Sequence, residues 1–323
     1  MQATTYPRLV GDIGGTNARF AWLEAPGAPL EAVATYRGAE HATLLDAMRR
    51  YLADHDKPAP RWCAIGIANP VTGDHVKMTN HHWSFSISEV QRSLGMDRFL
   101  VINDFTALAL ALPVLSPSDL RQVGGGQAVP NAPLGLLGPG TGLGVSGLLP
   151  AVAGHGEIPI NGEGGHTTLA AMDDDEEAVI RVLRARFGHV SAERAVSGIG
   201  LLNLHAAVCE LAGVPVPPMS PADISAAALA GSDPHCVRTL DLFCSFLGNV
   251  AGNLALTLGA RGGMYIGGGI VPRLGDWFAR SKFRQRFEEK GRFRAYLESI
   301  PTYVVQAGTP PALTGAARAL EEL

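Results

Sequence analysis

The sequence has few cysteines, few charged residues and no net positive charge, and each shortage excludes a class of protein. Its four cysteines contain no C-x-x-C pair: Cys63, Cys209, Cys236 and Cys244. This spacing excludes a disulfide framework and a zinc site, and it favours buried free thiols in a reducing compartment. Charged residues are 17% of the chain and the net charge is −4, so no overall field favours nucleic acid.

The sequence also predicts neither a signal peptide nor a membrane span. Arg8 and the first apolar segment come almost at once, which leaves no room for a signal peptide. Residues 242–260 carry no charge, and Gly248 and Gly252 have the spacing of close helix packing, but Asn249 interrupts the apolar surface. We therefore expect a buried helix here, and a cytoplasmic protein.

Glycine is abundant, with 39 residues gathered mainly at predicted turns. The segment D-I-G-G-T-N-A-R at 12–19 lies between two apolar runs, which predicts a strand, a tight turn and a second strand. Two turn glycines can adopt positive φ and leave space for a ligand, and turn N–H groups can cradle an anion. A carboxylate at a strand end suits a hydrated Mg²⁺. The predicted site for a nucleotide phosphate and its metal comprises Asp12, Gly14, Gly15, Thr16 and Asn17.

A second glycine turn repeats this pattern about 125 residues later, at 138–144. Its predicted ligand residues are Gly140, Thr141 and Gly142. It is not a Walker A loop, because no Gly-Lys-Ser/Thr follows. The G-x-G-x-x-G spacing at 142–147 is a poor dinucleotide fingerprint, since a strand and not a helix follows it. Two such hairpins predict a duplicated core with a cleft between its halves.

Strands alternate with helices along the first part of the chain, which predicts an α/β fold. The length allows two domains, each with its own core. A proline-containing segment after residue 112 indicates the crossing between them. We therefore predict a smaller N-terminal α/β domain at 1–112, a larger α/β domain at 113–309, and a C-terminal helix at 310–323 that packs back on the first domain.

Asn103 and Asp104 follow a buried strand and precede a helix. In α/β sheets, ligands bind beyond the carboxyl ends of strands, so a carboxylate here is well placed to act as a general base. The alternative is that Asp104 is only a helix N-cap. The adjacent asparagine favours a polyhydroxyl ligand.

Three further segments are less specific. Glu163 and His166 lie among glycines, which predicts backbone contact with a ligand. Glu193 cannot be interpreted alone. Gly268 and Gly269 follow an apolar run, and they fit either a nucleotide base against the backbone or an ordinary turn.

Two charged stretches are predicted to be surface helices. The acidic run at 173–177 suits a helix N-terminus, where the dipole favours negative charge. Basic residues and phenylalanines alternate within 273–294, and Phe283 and Phe287 would share one helix face. A packed amphipathic helix is expected here, not a nucleic-acid site.

The motifs in combination resemble those of bacterial glucokinases, in the branch that lacks the zinc-binding cysteine cluster of the related repressor and sugar kinase family. The strongest matches are D-I-G-G-T-N-A-R at 12–19, I-N-D-F-T-A at 102–107, G-P-G-T-G-L-G-V at 138–145 and G-E-G-G-H at 162–166. Further matches are A-N-P-V-T-G-D at 68–74, M-T-N-H-H-W at 78–83, S-A-E-R at 191–194 and G-G-G-I-V-P-R at 267–273. The resemblance covers nearly the whole chain and departs from the family pattern at 167–169.

This resemblance implies a duplicated actin-like ATPase (ribonuclease H-like) fold with two domains flanking a cleft. It implies transfer of the γ-phosphoryl group of Mg·ATP to the 6-hydroxyl of glucose, the first step of glycolysis, by a homodimer. Asp104 would be the general base. The sugar would be held by Asn103, Asp104, Glu163, His166 and Glu193. The two hairpins would bind the phosphates, Gly268 and Gly269 the adenosine, and Asp12 the Mg²⁺ through water.

Single features of the sequence also suggest two other classes of function. A sugar-responsive transcriptional regulator on the same fold would need a DNA-binding module, for which the residues before the first strand leave no room. A nicotinamide oxidoreductase is suggested by the G-x-G-x-x-G spacing alone, and the strand expected after Gly144 argues against it. Formation of glucose 6-phosphate from Mg·ATP and glucose would separate all three.

Overall fold

The computed structural model describes residues 5–79, 81–152 and 155–322, which divide into two compact units. The first comprises Met1–Ser116, Val152–Asn161 and Ala307–Leu323, and the second comprises Pro117–Ala151 and Gly162–Gln306. The first stretch thus ends at residue 116 instead of 112. The segment 152–161 joins the first unit, although the sequence assigned it to the second.

Two long-range contacts explain why residues 152–161 belong with the first unit. Arg318 Nη2 donates to Glu157 Oε2 at 2.6 Å, and Thr106 Oγ1 donates to Asn161 Oδ1 at 2.5 Å. These partners are far apart in sequence, so no local pattern indicates the pairing.

The strands and helices of the first unit follow the predicted alternation. Its strands are β1 (Arg8–Ile13), β2 (Asn17–Leu23), β3 (Glu31–Arg37), β4 (Trp62–Ile67), β5 (His75–Lys77), β6 (Ser84–Ser86) and β7 (Arg98–Asn103). Its helices are α1 (Leu44–Asp54), α2 (Ile87–Leu94), α3 (Asp104–Ala111) and, at the C-terminal end, α11 (Pro311–Glu322). Helix α2 begins where the Ser86 side chain accepts the N–H of Glu89, and it ends where Gly95 adopts the left-handed conformation.

A five-stranded sheet in the order β3-β2-β1-β4-β7 forms the centre of the first unit. Strands β1, β4 and β7 are parallel, and their last residues, Ile13, Ile67 and Asn103, lie level in the register. The turn after β1 and the start of α3 therefore lie at the same edge of the sheet.

Helix α3 packs closely on strand β4 and on helix α11, and a glycine lies at each of these two contacts. A Cβ at Gly66 of β4 would lie 3.0 Å from the Cβ of Ala107 and 3.4 Å from the Cα of Asp104. A Cβ at Gly315 of α11 would overlap the carbonyl oxygen of Ala107. Glycine at these positions lets α3 pack directly on β4 and α11, which fixes the helix that begins at Asp104.

The second unit contains a larger sheet and most of the helices. Its strands are β8 (Leu120–Val123), β9 (Leu134–Pro139), β10 (Leu143–Leu149), β12 (Gly263–Ile266) and β13 (Thr302–Val305), and β11 (Ile158–Gly162) crosses the boundary between the units. Its helices are α4 (Asp174–Phe187), α5 (Gly198–Ala212), α6 (Pro221–Ala230), α7 (Pro234–Leu258), α8 (Gly275–Arg280), α9 (Phe283–Glu288) and α10 (Arg294–Glu298).

The two sheets have corresponding strand orders. The second runs β11-β10-β9-β12-β13-β8, in which β9 pairs antiparallel with β10 and parallel with β12, as β1 does with β2 and β4. Strand β8 is an addition at one edge. The prediction of a duplicated α/β core is confirmed.

Helix α7 is long and apolar enough, by length and composition, to cross a membrane, but 72% of its most apolar window is buried within the protein. An added Cβ would meet the carbonyl oxygen of Phe283 at Gly248 and that of Phe287 at Gly252, so both glycines pack closely against α9. The expected buried helix is confirmed.

The charged stretches differ from their prediction. Residues 273–294 form short helices instead of one, although Phe283 and Phe287 are both fully buried with ring centroids 6.4 Å apart. Glu176, in the acidic run, is 1% exposed and pairs with Arg286 at 3.2 Å. The expectation of a wholly exposed acidic face is therefore wrong at Glu176.

Candidate active site

The first predicted phosphate turn joins β1 to β2 at the carboxyl edge of the first sheet. The N–H of Gly14 donates to the carbonyl of Asn17 at 2.9 Å, which closes the turn. Neither Gly14 nor Gly15 adopts a positive φ, contrary to the sequence-based expectation. The backbone conformation of this turn therefore does not require glycine, and the effect of these glycines is to leave room beside the backbone for a ligand. Thr16 is exposed at the tip, where its hydroxyl can reach a ligand.

Asp12 lies one residue before the end of β1, directly opposite Arg19 of β2. Arg19 Nη1 donates to Asp12 Oδ2 at 3.0 Å, a contact that the sequence-based prediction missed. The contact could have been inferred from the sequence, because a short turn between antiparallel strands places Asp12 opposite Arg19. Burial raises the pKa of the Asp12 carboxyl, and the Arg19 guanidinium partly opposes that shift.

The donor set around Asp12 fits Mg²⁺ bound chiefly by substrate and water. Among residues 5–79, 81–152 and 155–322, no group of three or more His, Cys, Asp or Glu side chains could hold a metal ion. Mg²⁺ usually takes one or two protein carboxylates together with substrate phosphates and several waters. One carboxylate beside a predicted phosphate turn fits that pattern.

Asn103 and Asp104 lie at the same sheet edge, at the junction of β7 and α3. Asn103 is the N-cap, since its Oδ1 accepts the N–H groups of Phe105 at 2.9 Å and Thr106 at 3.3 Å. The alternative that Asp104 is the N-cap is therefore wrong. Asp104 is the first helical residue and is half-buried. Its carboxylate is positioned by a well-capped helix that packs on β4.

The second predicted phosphate turn joins β9 to β10 in the second unit. The N–H of Gly140 donates to the carbonyl of Gly142 at 2.8 Å. The N–H of Leu143 donates to Glu193 Oε2, also at 2.8 Å. Within the described residues these bonds leave the N–H groups of Thr141 and Gly142 to donate to a phosphate. A Cβ at Gly140 would meet no atom within 4 Å, so packing does not require glycine there.

The Gly268-Gly269 loop adjoins this second turn. Gly267 N donates to the carbonyl of Leu137 at 2.8 Å, which places the loop at the end of β9. Gly268 has φ +77°, and an added Cβ would overlap the carbonyl of Pro139. A Cβ at Gly269 would meet nothing within 4 Å. Gly268 is therefore required by the turn, whereas Gly269 leaves open surface beside the phosphate turn.

Glu163 and His166 lie at the two ends of a short helical turn that packs on β10. Both side chains are exposed. The glycines between them explain the packing. A Cβ at Gly164 would lie 2.7 Å from Val145 Cγ1, and one at Gly165 would overlap the carbonyl of Leu143. The backbone closeness predicted from these glycines is present, but the neighbour is strand β10.

Glu193 lies in a short helical turn beside the 163–166 segment, since Ala192 N donates to the carbonyl of Thr167 at 2.9 Å. Its Oε2 accepts the N–H of Leu143 at 2.8 Å, immediately after the second phosphate turn. Within the second unit, the predicted sugar residues therefore lie next to the predicted phosphate turn. The sequence alone did not indicate that Glu193 contacts this turn.

A separate cavity of about 430 Å³ lies in the second unit, against the start of α4 and α7. Its charged lining includes Asp173, Glu176, Arg238, Asp241 and Lys282. None of the predicted site residues lines it, so cavity size does not indicate the site here.

The chain is similar to known glucokinases over nearly its whole length. The glucokinase family model matches residues 9–323. A glucokinase from Aromatoleum aromaticum is 57% identical over 318 residues, covering 98% of this chain and 95% of the relative. A solved glucokinase from an Antarctic psychrotroph is 36% identical, with a TM-score of 0.89 over 98% of this chain and 99% of that one.

A more distant solved structure shows the same fold. The ROK-family glucokinase of Streptomyces griseus, in complex with glucose and AMPPNP, is 20% identical, with a TM-score of 0.64 over 97% of this chain and 99% of that one. These neighbours are sugar kinases of the actin-like ATPase fold, and the predicted fold class is confirmed. The strand at 143–149 follows the G-x-G-x-x-G spacing, which removes the basis for an oxidoreductase.

Proposed function

Because the chain belongs to the glucokinase family of ATP-dependent hexose kinases, we propose that it transfers the γ-phosphoryl group of Mg·ATP to the 6-hydroxyl of glucose. The products are glucose 6-phosphate and ADP, and the reaction is the first step of glycolysis. The observation that carries this proposal is the level register of β1, β4 and β7. It supports the proposal because the turn after β1 and the start of α3 at Asp104 lie at one edge of one sheet.

Asp104 acts as the general base in this proposal. The proton of the sugar O6–H passes to an Asp104 carboxylate oxygen as O6 bonds to the γ-phosphorus. The bond from that phosphorus to the β,γ-bridging oxygen breaks, and ADP leaves with the electron pair. The capped start of α3 supports this role, since a base must be held within hydrogen-bond reach of the proton it accepts.

The sugar hydroxyls are bound by polar side chains from several turns. The proposed set is Asn103, Asp104, Glu163, His166 and Glu193. Asn103 uses Oδ1 for the helix cap, which leaves its amide Nδ2 to donate to a hydroxyl. Carboxylates accept hydroxyl protons and the amide donates, so the set suits a ligand rich in O–H groups.

The two glycine turns hold the nucleotide phosphates, and Gly268 and Gly269 border the adenosine. Phosphoryl transfer depends mainly on positioning and on charge neutralisation, so backbone N–H groups at the turns are well suited to it. Mg²⁺, when bound, would neutralise phosphate charge, and Asp12 would hold it through water.

The test is direct. Purified protein is mixed with glucose and Mg·ATP, and glucose 6-phosphate is followed by a coupled NADPH assay. A panel of sugars with ATP, ADP and polyphosphate as donors then defines the specificity. Stoichiometric glucose 6-phosphate and ADP are expected, and the absence of sugar phosphate with every donor would overturn the proposal.

We also propose that the enzyme works as a homodimer in the cytoplasm. All four cysteines are buried free thiols, which suits a reducing compartment. Light scattering coupled to gel filtration should give twice the 33.9 kDa chain mass. A monomer at assay concentration would contradict the dimer.

A further inference from the structure

Glu193 makes contacts that a sugar ligand alone would not need. The resemblance assigns it to the sugar hydroxyls, yet its Oε2 accepts the N–H of Leu143 at 2.8 Å. Leu143 is the first residue of β10 and directly follows the phosphate turn. Glu193 is half-buried, so this charged hydrogen bond is partly shielded from water.

Gly142 supplies the space for that carboxylate. A Cβ at Gly142 would overlap Glu193 Oε2, and its next contact would be the Glu193 Cδ at 3.2 Å. Gly142 has no positive φ, so the turn conformation does not require glycine. The Glu193 carboxylate therefore occupies the space that a side chain at position 142 would fill, and a larger residue there would displace it.

The segment 193–198 also contacts the first residues of the turn, where the chain leaves β9. Ser197 is fully buried, and its Oγ donates to the carbonyl of Glu193 at 2.8 Å. The next residue, Gly198, donates its N–H to the carbonyl of Gly140 at 2.8 Å. One short segment thus bonds to both sides of the phosphate turn, at Gly140 and at Leu143.

We propose that Glu193 is a positioning residue for the second phosphate turn as well as a sugar ligand. Its Oε2 fixes the turn through Leu143, and its Oε1 remains to accept a sugar hydroxyl. One carboxylate then links the sugar site to the phosphate site. This inference rests on the proposed function only in assigning nucleotide phosphate to the turn.

The test compares two substitutions of Glu193. Glu193→Gln keeps an oxygen that can accept the Leu143 N–H, whereas Glu193→Ala removes it. Affinity for Mg·AMPPNP is measured by calorimetry without sugar, after circular dichroism has confirmed folding. Glu193→Ala should bind the nucleotide about five- to tenfold more weakly, the loss typical of one hydrogen bond, and Glu193→Gln should remain near wild type.

Two controls separate this role from sugar binding. His166→Ala, which alters a proposed sugar ligand outside the turn, should raise the glucose KM and leave nucleotide affinity unchanged. Gly142→Ala should weaken nucleotide binding in the wild-type background and have little further effect in the Glu193→Ala background, because the overlap is with that carboxylate.

Amide hydrogen exchange gives a readout that does not depend on activity. Leu143 should exchange slowly in the wild type and in Glu193→Gln, and faster in Glu193→Ala. Unchanged exchange and unchanged nucleotide affinity in Glu193→Ala would overturn the inference, even if its glucose KM rises. Failure of the wild type to phosphorylate glucose would instead overturn the proposed function, while the exchange data would still report the contact.

Discussion

Replacing Gly315 with alanine tests whether the C-terminal helix fixes the position of Asp104. Gly315 of α11 faces Ala107 of α3, and a Cβ there would overlap the Ala107 carbonyl oxygen. Real Cβ contacts essentially never come below 3.0 Å, so the helices would have to separate by about an ångström or more. Asp104 begins the same short helix and would move with it.

The expected magnitudes differ for stability and for catalysis. Overpacking typically costs about 1–3 kcal/mol, and alanine recovers roughly 1 kcal/mol of helix propensity over glycine. The net loss should therefore be at most about 2 kcal/mol, or a Tm decrease of several degrees. A displacement of about 1 Å in a catalytic group can cost about 100-fold in rate, so kcat should fall far more than stability suggests.

The assay measures kcat at saturating glucose and ATP together with the Tm of each variant. Gly308→Ala is the matched control, because a Cβ there would meet no atom within 4 Å. It should behave as the wild type in both measurements. If Gly315→Ala lowers the Tm but leaves kcat unchanged, the position of Asp104 does not depend on α11, and the reasoning is refuted.

Three further predictions concern charged residues. Asp104→Asn should fold normally, and kcat should fall by about 10²–10⁴-fold in the coupled assay; near-normal kcat would exclude a general base. Arg286→Met leaves Glu176 buried without its partner and should cost roughly 3–5 kcal/mol in urea unfolding, whereas the exposed Arg294→Met should change little. Burial raises the pKa of Asp12, so the Asp12 contribution to stability should fall as pH rises from its ordinary pKa through the raised one, whereas carboxylates with a lowered pKa, such as Asp173, contribute the opposite trend. Asp12→Asn should therefore gain stability relative to the wild type over that range in a thermal scan across pH, and it should weaken the Mg²⁺ dependence of kcat; a stability difference that does not change with pH would contradict the assignment.

Features set by nearby residues could be predicted from the sequence. Both glycine hairpins appear where the sequence predicts a turn between two apolar runs. These features depend on the local alternation of apolar runs and glycines and on hydrogen bonds that span a few residues, such as that from Gly14 N–H to the carbonyl of Asn17. The alternative that Asp104 is only a helix N-cap stayed open in the sequence, because both Asn and Asp favour the N-cap and only the backbone shows that Asn103 has the extended conformation.

Contacts between distant residues could not be predicted. Glu193 and Leu143 are 50 residues apart, and Arg286 and Asp173 are 113 apart. Periodicity describes which side of an element faces inward, but it does not say which other element covers that side. Glu176 was therefore expected on the surface, although an arginine from a distant short helix makes its burial possible.

The glycines themselves separate into two physical classes that sequence cannot distinguish. At Gly142, Gly165 and Gly268 an added Cβ would overlap other atoms of the protein, so packing or the turn accounts for glycine. At Gly140 and Gly269 an added Cβ would meet nothing within 4 Å, and neither has a positive φ. Other glycines, Gly308 among them, also have open space and no positive φ, so open space alone does not indicate a ligand site. What distinguishes Gly140 and Gly269 is their place beside the proposed phosphate and adenosine sites, where a larger side chain would compete with the nucleotide, so Gly140→Val and Gly269→Val should weaken nucleotide binding more than they lower the Tm.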